Sequence, residues 1–319
     1  MKRIQILLIL AAVLGSVSCV FGQMRTPRHL TQKTTVSGGI KRTYYVFKPA
    51  GVSKSKKLPV VMVFHGGGGT ALRMERWLKF TDLARREKFI AVYPDGIGNN
   101  WNDGRDTQVN RAHKDKIDDL SFVSKLLDEV TLDYPVDKDR IYATGPSNGG
   151  IFSHFIAAQM ADRIAAIAPV IGGIADPFHK RFEPSDPVSV FIIQGTEDKL
   201  VPYKGGEIGR NRGRVISTDE TIRIWTNHNK TDSKAVEGNL ADSDKNDGCR
   251  VETFTWRNGK NGTEVVLYKL IGGGHTWPGG SQYAPRFIVG RVCRDFDATE
   301  AVWQFFKDHP KNRDSRSST

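Results

Sequence analysis

Three cysteines in 319 residues are too few for a disulfide-dense scaffold, and neither C-x-x-C nor H-E-x-x-H spacing occurs to hold a metal. No metal and no cofactor are expected. Beyond the first twenty-odd residues, no stretch approaches the roughly 20 consecutive apolar residues that a membrane-crossing helix needs, so no stable membrane anchor is expected either. The formal net charge of +12 is diffuse: basic residues recur along the chain without gathering on one periodic face, and no stacked-aromatic signature accompanies them. Nucleic acid is therefore excluded as a partner. Internal repeats are also missing. A content of 39% hydrophobic and 26% charged residues suits one sizeable core, hence a single domain.

What is present begins with "MKRIQILLILAAVLGSVSCVFG", residues 1–22, in which Lys2 and Arg3 precede an apolar run and small residues follow. That is the pattern of a cleavable signal peptide, which implies a secreted or periplasmic protein cut near Gly22. Lipoprotein anchoring at Cys19 is the lesser reading, because Ser16 stands where such signals carry a branched apolar residue. Cleavage would lower the net charge from +12 to +10, since Lys2 and Arg3 leave and no acid does. It would also leave Cys249 and Cys293, an even pair for which a disulfide is permitted and two free thiols are the alternative.

Residues 42–50, 58–66, 88–96, 139–145, 164–172, 187–195 and 263–272 read as strands, several of them continuous apolar runs. Residues 74–87, 118–134, 150–163 and 298–309 carry apolar residues at three- and four-residue spacing and read as helices. Such alternation argues for an α/β fold, a mostly parallel doubly wound sheet with helices on both faces. Residues 203–220 and 230–248 are polar and glycine-bearing and read as surface loops around a helix near 217–229. Residues 310–319 read as a disordered polar tail, leaving 23–309 as the folded domain.

The chemistry centres on "RIYATGPSNGG", residues 140–150, where a strand ends in Gly145-Pro146-Ser147-Asn148-Gly149. This is a G-x-S-x-G elbow, a sharp strand-to-helix turn that projects the serine hydroxyl out of the sheet. A serine hydroxyl needs a base to take its proton and an acid to orient that base. Asp198 follows the strand 187–195, and His275 lies in the glycine-rich "GGGHTWPGG" after the strand 263–272. Of the other histidines, His65 precedes the serine, His154 sits on a helix, and His29, His113, His179, His228 and His309 occupy polar or terminal contexts. Ser147, Asp198 and His275 thus follow the Ser, acid, His order of an esterase triad. "VVMVFHGGGGT", residues 60–70, would supply an oxyanion hole from the amides of Gly67 and Asn148. The glycine run lacks both the lysine of a phosphate-binding loop and the dinucleotide fingerprint.

Five ordered stretches, "HGGGGT", "YPDGIGNNWNDGR", "GPSNGG", "GTEDKLVPY" and "GGGHTWPGG", make the chain resemble the secreted polyhydroxybutyrate-depolymerase and feruloyl-esterase-like branch of the α/β hydrolases. The resemblance covers residues 40–309. It implies a secreted serine esterase acting on aryl or acyl esters of plant polysaccharide, with the catalytic roles on Ser147, Asp198 and His275. The partner is then an ester substrate, of feruloyl or acetyl-xylan type. Cleavage of short polyhydroxyalkanoate oligomers is the alternative, and a silent binding protein on the same fold the third reading. Trp101 and Trp277 are the expected flat surfaces for an aromatic or sugar ring. Arg210, Arg212 and Arg214 read as a solvated cluster, with recognition of uronic acids the alternative, and Asp118 and Asp119 read as helix caps.

Overall fold

The structure, a computed structural model, describes residues 26–53, 55–209 and 211–312. The expected leader 1–22 and the arginine at 210 lie outside the described residues. Ten strands form one sheet: β1 (Thr31–Ser37), β2 (Ile40–Phe47), β3 (Leu58–Val63), β4 (Ile90–Pro94), β5 (Val136–Pro146), β6 (Ala166–Val170), β7 (Ser189–Gly195), β8 (Val236–Asn239), β9 (Arg250–Trp256) and β10 (Val265–Ile271). Their spatial order is β1-β2-β4-β3-β5-β6-β7-β10-β9-β8. From β4 to β10 every neighbouring pair is parallel, whereas the two edges are antiparallel.

The central runs explain this arrangement. β3, β4, β6 and β7 are buried at every position, as strands covered on both faces must be, and their valines, isoleucines and alanines satisfy both sides at once. One core lies under α3 (Asp119–Asp133), α4 (Asn148–Gln159) and α5 (Thr218–Asn229), which contribute Phe122, Ile151 and Trp225. The other lies under α1 (Ala71–Leu78), α2 (Phe80–Glu87) and α6 (Ala298–Asp308), with Leu78, Leu83 and Phe306. α4 departs from the amphipathic norm. Ten of its residues are buried, because it runs beneath the sheet's working edge.

Three expectations change. The single helix expected over 74–87 is two helices, broken at Lys79 in the left-handed region (φ 55°), where the Leu78 carbonyl accepts a hydrogen bond from Thr299 Oγ1. The segments 203–220 and 230–248, expected as loops, contain strands: Gly206–Glu207 pairs with Arg214–Val215 in a separate two-stranded sheet, and the second segment holds the edge strand β8. Residues 311 and 312, within the span expected as a polar tail, are bonded to the fold: Lys311 donates its amide to the Asp139 carbonyl and its ammonium to the Ala161 carbonyl, and Asn312 Nδ2 donates to the Asn261 carbonyl. Cys249 and Cys293 are joined in a disulfide, with Cα atoms 5.3 Å apart. It ties the start of β9 to the segment whose Arg291 carbonyl accepts the Gly274 amide, next to His275. Among the described residues no helix is long and apolar enough to cross a membrane.

Candidate active site

Parallel strands point the same way, so the segments leaving β3, β5, β7 and β10 emerge along one edge, and each carries one of the residues singled out above. Ser147 directly follows β5 with φ 57° and ψ −122°, a sparsely populated conformation for a residue with a side chain. The surroundings enforce it. The Ser147 amide donates to the Val170 carbonyl and its carbonyl accepts from Ile151, each at 2.9 Å. Gly145 and Gly149 permit the turn: a Cβ on either would lie 2.2 or 2.3 Å from the Phe64 carbonyl oxygen. Nothing larger than hydrogen fits at these two positions.

Asp198 follows β7 and is buried. One carboxylate oxygen accepts the amides of Leu200 (2.9 Å) and Val201 (2.8 Å); the other accepts Gln194 Nε2 (3.2 Å) and pairs with His275 Nδ1 at 2.8 Å. A carboxylate only accepts, so His275 carries its proton on Nδ1 and keeps a lone pair on Nε2. The histidine's backbone is fixed as well: its amide donates to the Val289 carbonyl, and its carbonyl accepts the Tyr283 hydroxyl at 3.0 Å. Burial, aided by the charge of Asp198, pushes the Tyr283 phenol up to about 12, so it remains a donor throughout the neutral range.

The glycine loop packs against the elbow. A Cβ on Gly66 would sit 3.6 Å from Ser147 Cβ, and one on Gly67 would sit 3.8 Å from Asn148 Cβ. Gly68 and Gly69 donate their amides to the carbonyls of Asn99 and Gly66. His65 is locked beneath. Its Nδ1 donates to the Gly66 carbonyl (2.9 Å) while Nε2 accepts the Gly96 amide (2.9 Å). Burial, reinforced by the charge of Arg42, lowers its pKa to about 4, so it stays neutral and holds that tautomer.

Asn148 is fixed from its own side. Its Oδ1 accepts the Trp101 amide at 2.8 Å, and its Nδ2 donates to the Trp101 carbonyl (3.1 Å) and to Asp103 (2.6 Å). Asp103 is fully buried and also bonds Arg105 and His113 Nε2. Burial alone would raise this carboxyl; the Arg105 charge and the His113 contact outweigh it and hold the pKa at about 2. Asp118 caps α3 through the Ser121 amide, but Asp119 does not cap. It forms a buried ion pair with Arg42 at 2.5 Å and accepts the Asn102 amide.

Ser147, Asn148, His275 and Gly66 to Gly69 border a cavity of about 760 Å³. No hydrogen bond joins Ser147 to His275 across it among the described residues. Such contacts often tighten only when substrate is bound. The two tryptophans expected as substrate surfaces do not face this space. Trp101 is wholly buried, stacked on Phe152 with its Nε1 bonded to the His65 carbonyl, and Trp277 is packed in the opposite core with its Nε1 on Thr299. The aromatic wall is formed by Trp77 and Tyr283, with ring centres 5.4 Å apart. Neither was apparent from sequence. Trp77 sits in a helix whose apolar spacing reads equally well as core, and Tyr283 lies in a loop without periodicity. Asp103 and His113 were missed too, because Asn148, the residue they serve, lies 45 positions from Asp103.

The chain is 29% identical over 286 residues to the putative esterase NocK of Nocardia uniformis subsp. tsuyamanensis, covering 86% of this chain and 82% of that protein. Feruloyl esterase B of Piromyces equi is 28% identical over 236 residues, 71% of this chain and 41% of the relative, so this chain spans less than half of that protein's length. Among solved structures, the acetyl xylan esterase from Aspergillus awamori superposes with a TM-score of 0.55 at 15% identity, covering 77% of this chain and 94% of that one. No family model matches the chain. The chain has the α/β-hydrolase fold and is similar in sequence to proteins named as esterases.

Proposed function

We propose that the protein is a carboxylic ester hydrolase of the feruloyl or acetyl-xylan type, is exported by its leader, and works through an acyl-enzyme on Ser147. The observation that carries the proposal is the buried Asp198–His275 hydrogen bond at the cavity into which the Ser147 turn opens. Nε2 of His275 takes the hydroxyl proton as Ser147 Oγ bonds to the ester carbonyl carbon. Asp198 holds the ring in the Nδ1–H form and stabilises the imidazolium that results. The carbonyl oxygen, now negative, accepts the amides of Gly67 and Asn148, each donor contributing about 3 kcal/mol in the transition state. The N-terminal end of α4 points its dipole at the same charge. Collapse of the tetrahedral species breaks the bond to the alcohol, which leaves with the proton from His275. Water then repeats the sequence on the acyl-serine and releases the acid.

The substrate class draws support from the relatives named for feruloyl and acetylxylan esters and from the Trp77–Tyr283 wall, which suits a flat ring. The volume of about 760 Å³ lies in the ordinary range for small-molecule sites. The test sets methyl ferulate, acetylated xylan and hydroxybutyrate oligomers side by side, with wild type and Ser147→Ala. The expected result is turnover of methyl ferulate or acetylated xylan that falls at least about a thousandfold in Ser147→Ala. Turnover of the oligomers alone, or undiminished activity in the variant, would refute the proposal.

A further inference from the structure

The charge around the cavity is one-sided. Among the described residues, Arg73, Arg105 and Arg212 border it, and no aspartate or glutamate does. Arg105 is neutralised by Asp103, with Nη2 at 2.8 Å from the carboxylate. Its remaining arm serves another purpose: Nη1 donates to the Arg212 carbonyl at 2.8 Å, while Thr107 Oγ1 donates to the neighbouring Asn211 carbonyl at 3.2 Å and the Arg212 amide to the Ile208 carbonyl. Three hydrogen bonds therefore tie down the backbone that carries Arg212, in the turn between two short antiparallel strands, Gly206–Glu207 and Arg214–Val215. Among the described residues no carboxylate pairs with the guanidinium of Arg212 or with that of Arg73. Arg214, two positions on, does have an acid partner in Asp176.

A guanidinium forms paired, parallel hydrogen bonds to a carboxylate, and a concave, partly apolar wall strengthens its field over that of a flat surface. The geometry points to an ester that itself carries a carboxylate, on the acyl or the alcohol side, bound through Arg212 and Arg73 while its ester bond lies at Ser147. This deepens the esterase reading above and rests on it. An aromatic or sugar ring bearing an acid group combines the two features of the wall, the Trp77–Tyr283 surface and the free guanidiniums.

Two matched substrate pairs test it. Mono-4-nitrophenyl adipate against 4-nitrophenyl methyl adipate places the charge on the acyl side; 4-acetoxybenzoate against methyl 4-acetoxybenzoate places it on the alcohol side. Each ratio of kcat/KM is corrected for the spontaneous rates. The expected result is a preference of roughly tenfold for the charged ester in at least one pair. It should shrink between about 0.05 M and about 0.5 M salt, collapse toward unity in the Arg73→Gln/Arg212→Gln double variant, and survive in part in Arg212→Lys. The neutral ester of each pair reports in the same variant whether the site is intact. A ratio at or below one in both pairs, or a preference untouched by the double variant, overturns the inference. If instead no ester turns over and Ser147 does not react, the esterase reading has failed, which is a different result.

Discussion

Asp198 and Asp103 are two buried carboxylates on either side of the same serine turn, and they are wired differently. Asp198 spends three of its four hydrogen bonds on being held, and its fourth goes to a histidine whose second nitrogen is uncommitted. Asp103 forms a closed network: Arg105, His113 and Asn148 all end on it, and the second ring nitrogen of His113 is itself engaged by Asn110 Oδ1. In the proposed mechanism the first arrangement orients a base. The second fixes the residue whose amide would meet the oxyanion. Similar burial and similar chemistry thus serve reactivity in one place and position in the other.

The widest gap between the two should appear on neutralising each acid. Asp198→Asn keeps an oxygen for Leu200 and Val201 but no longer imposes the correct imidazole tautomer, so kcat is expected to fall about 10⁴-fold with little change in Tm. Asp103→Asn leaves Arg105 buried without its counter-charge, and the expected loss is about 3–5 kcal/mol of stability. Its kcat should fall only about ten- to a hundredfold, through looser placement of Asn148. Denaturation curves and kinetics on both variants decide the matter, and the contrast is broken if the two effects come out interchanged.

Acid sharpens the contrast further. Folded His65 and His154 have pKa values lowered, chiefly by burial, to about 4 and about 3 from an ordinary 6.5, so the unfolded chain takes up protons first. The stability this confers is complete above pH 6.5 and is lost as the pH falls toward 4 and then 3. Asp103, depressed from 3.8 to about 2, contributes stability above pH 3.8 that disappears as the pH falls through 2. Stability measured by urea unfolding should therefore decline below pH 6.5. The further step below pH 3.8 should be missing in Asp103→Asn.

The smallest expected effect separates cavity from core. Trp101→Phe removes the Nε1 bond to the His65 carbonyl and should cost about 1–3 kcal/mol of stability without changing KM for methyl ferulate. Trp77→Ala, at the cavity, should raise that KM severalfold, equivalent to about 1 kcal/mol of lost ring contact. Reversed outcomes would return Trp101 to the substrate surface.

How much of this could be read from sequence follows the same division. The strand-end residues were legible, because a continuous apolar run followed by glycine and one reactive residue is a local pattern, and parallel strands deliver such ends to a common edge. All seven strands read from apolar runs are present. The edge strands β1 and β8, and β9 beside β8, were not legible, since they are antiparallel and largely half-exposed or exposed, with no continuous run to mark them. The cavity wall was illegible for a different reason. Whether a tryptophan faces a core or a cavity depends on neighbours far away in the chain, as Trp101 depends on Asn148 and Phe152. The Asp103 network fails the same way. Its acid and its arginine are two residues apart and look like loop polarity until Asn148 is seen beside them.

The central claim is that Asp198 and His275 together make Ser147 a nucleophile. Reaction with a fluorophosphonate, followed by mass spectrometry of the modified peptide, tests this without any assumption about substrate. The account predicts a single adduct on Ser147 that forms rapidly in wild type and at least about a thousandfold more slowly in His275→Gln. An adduct on another serine, or labelling of Ser147 as fast in His275→Gln as in wild type, would contradict it.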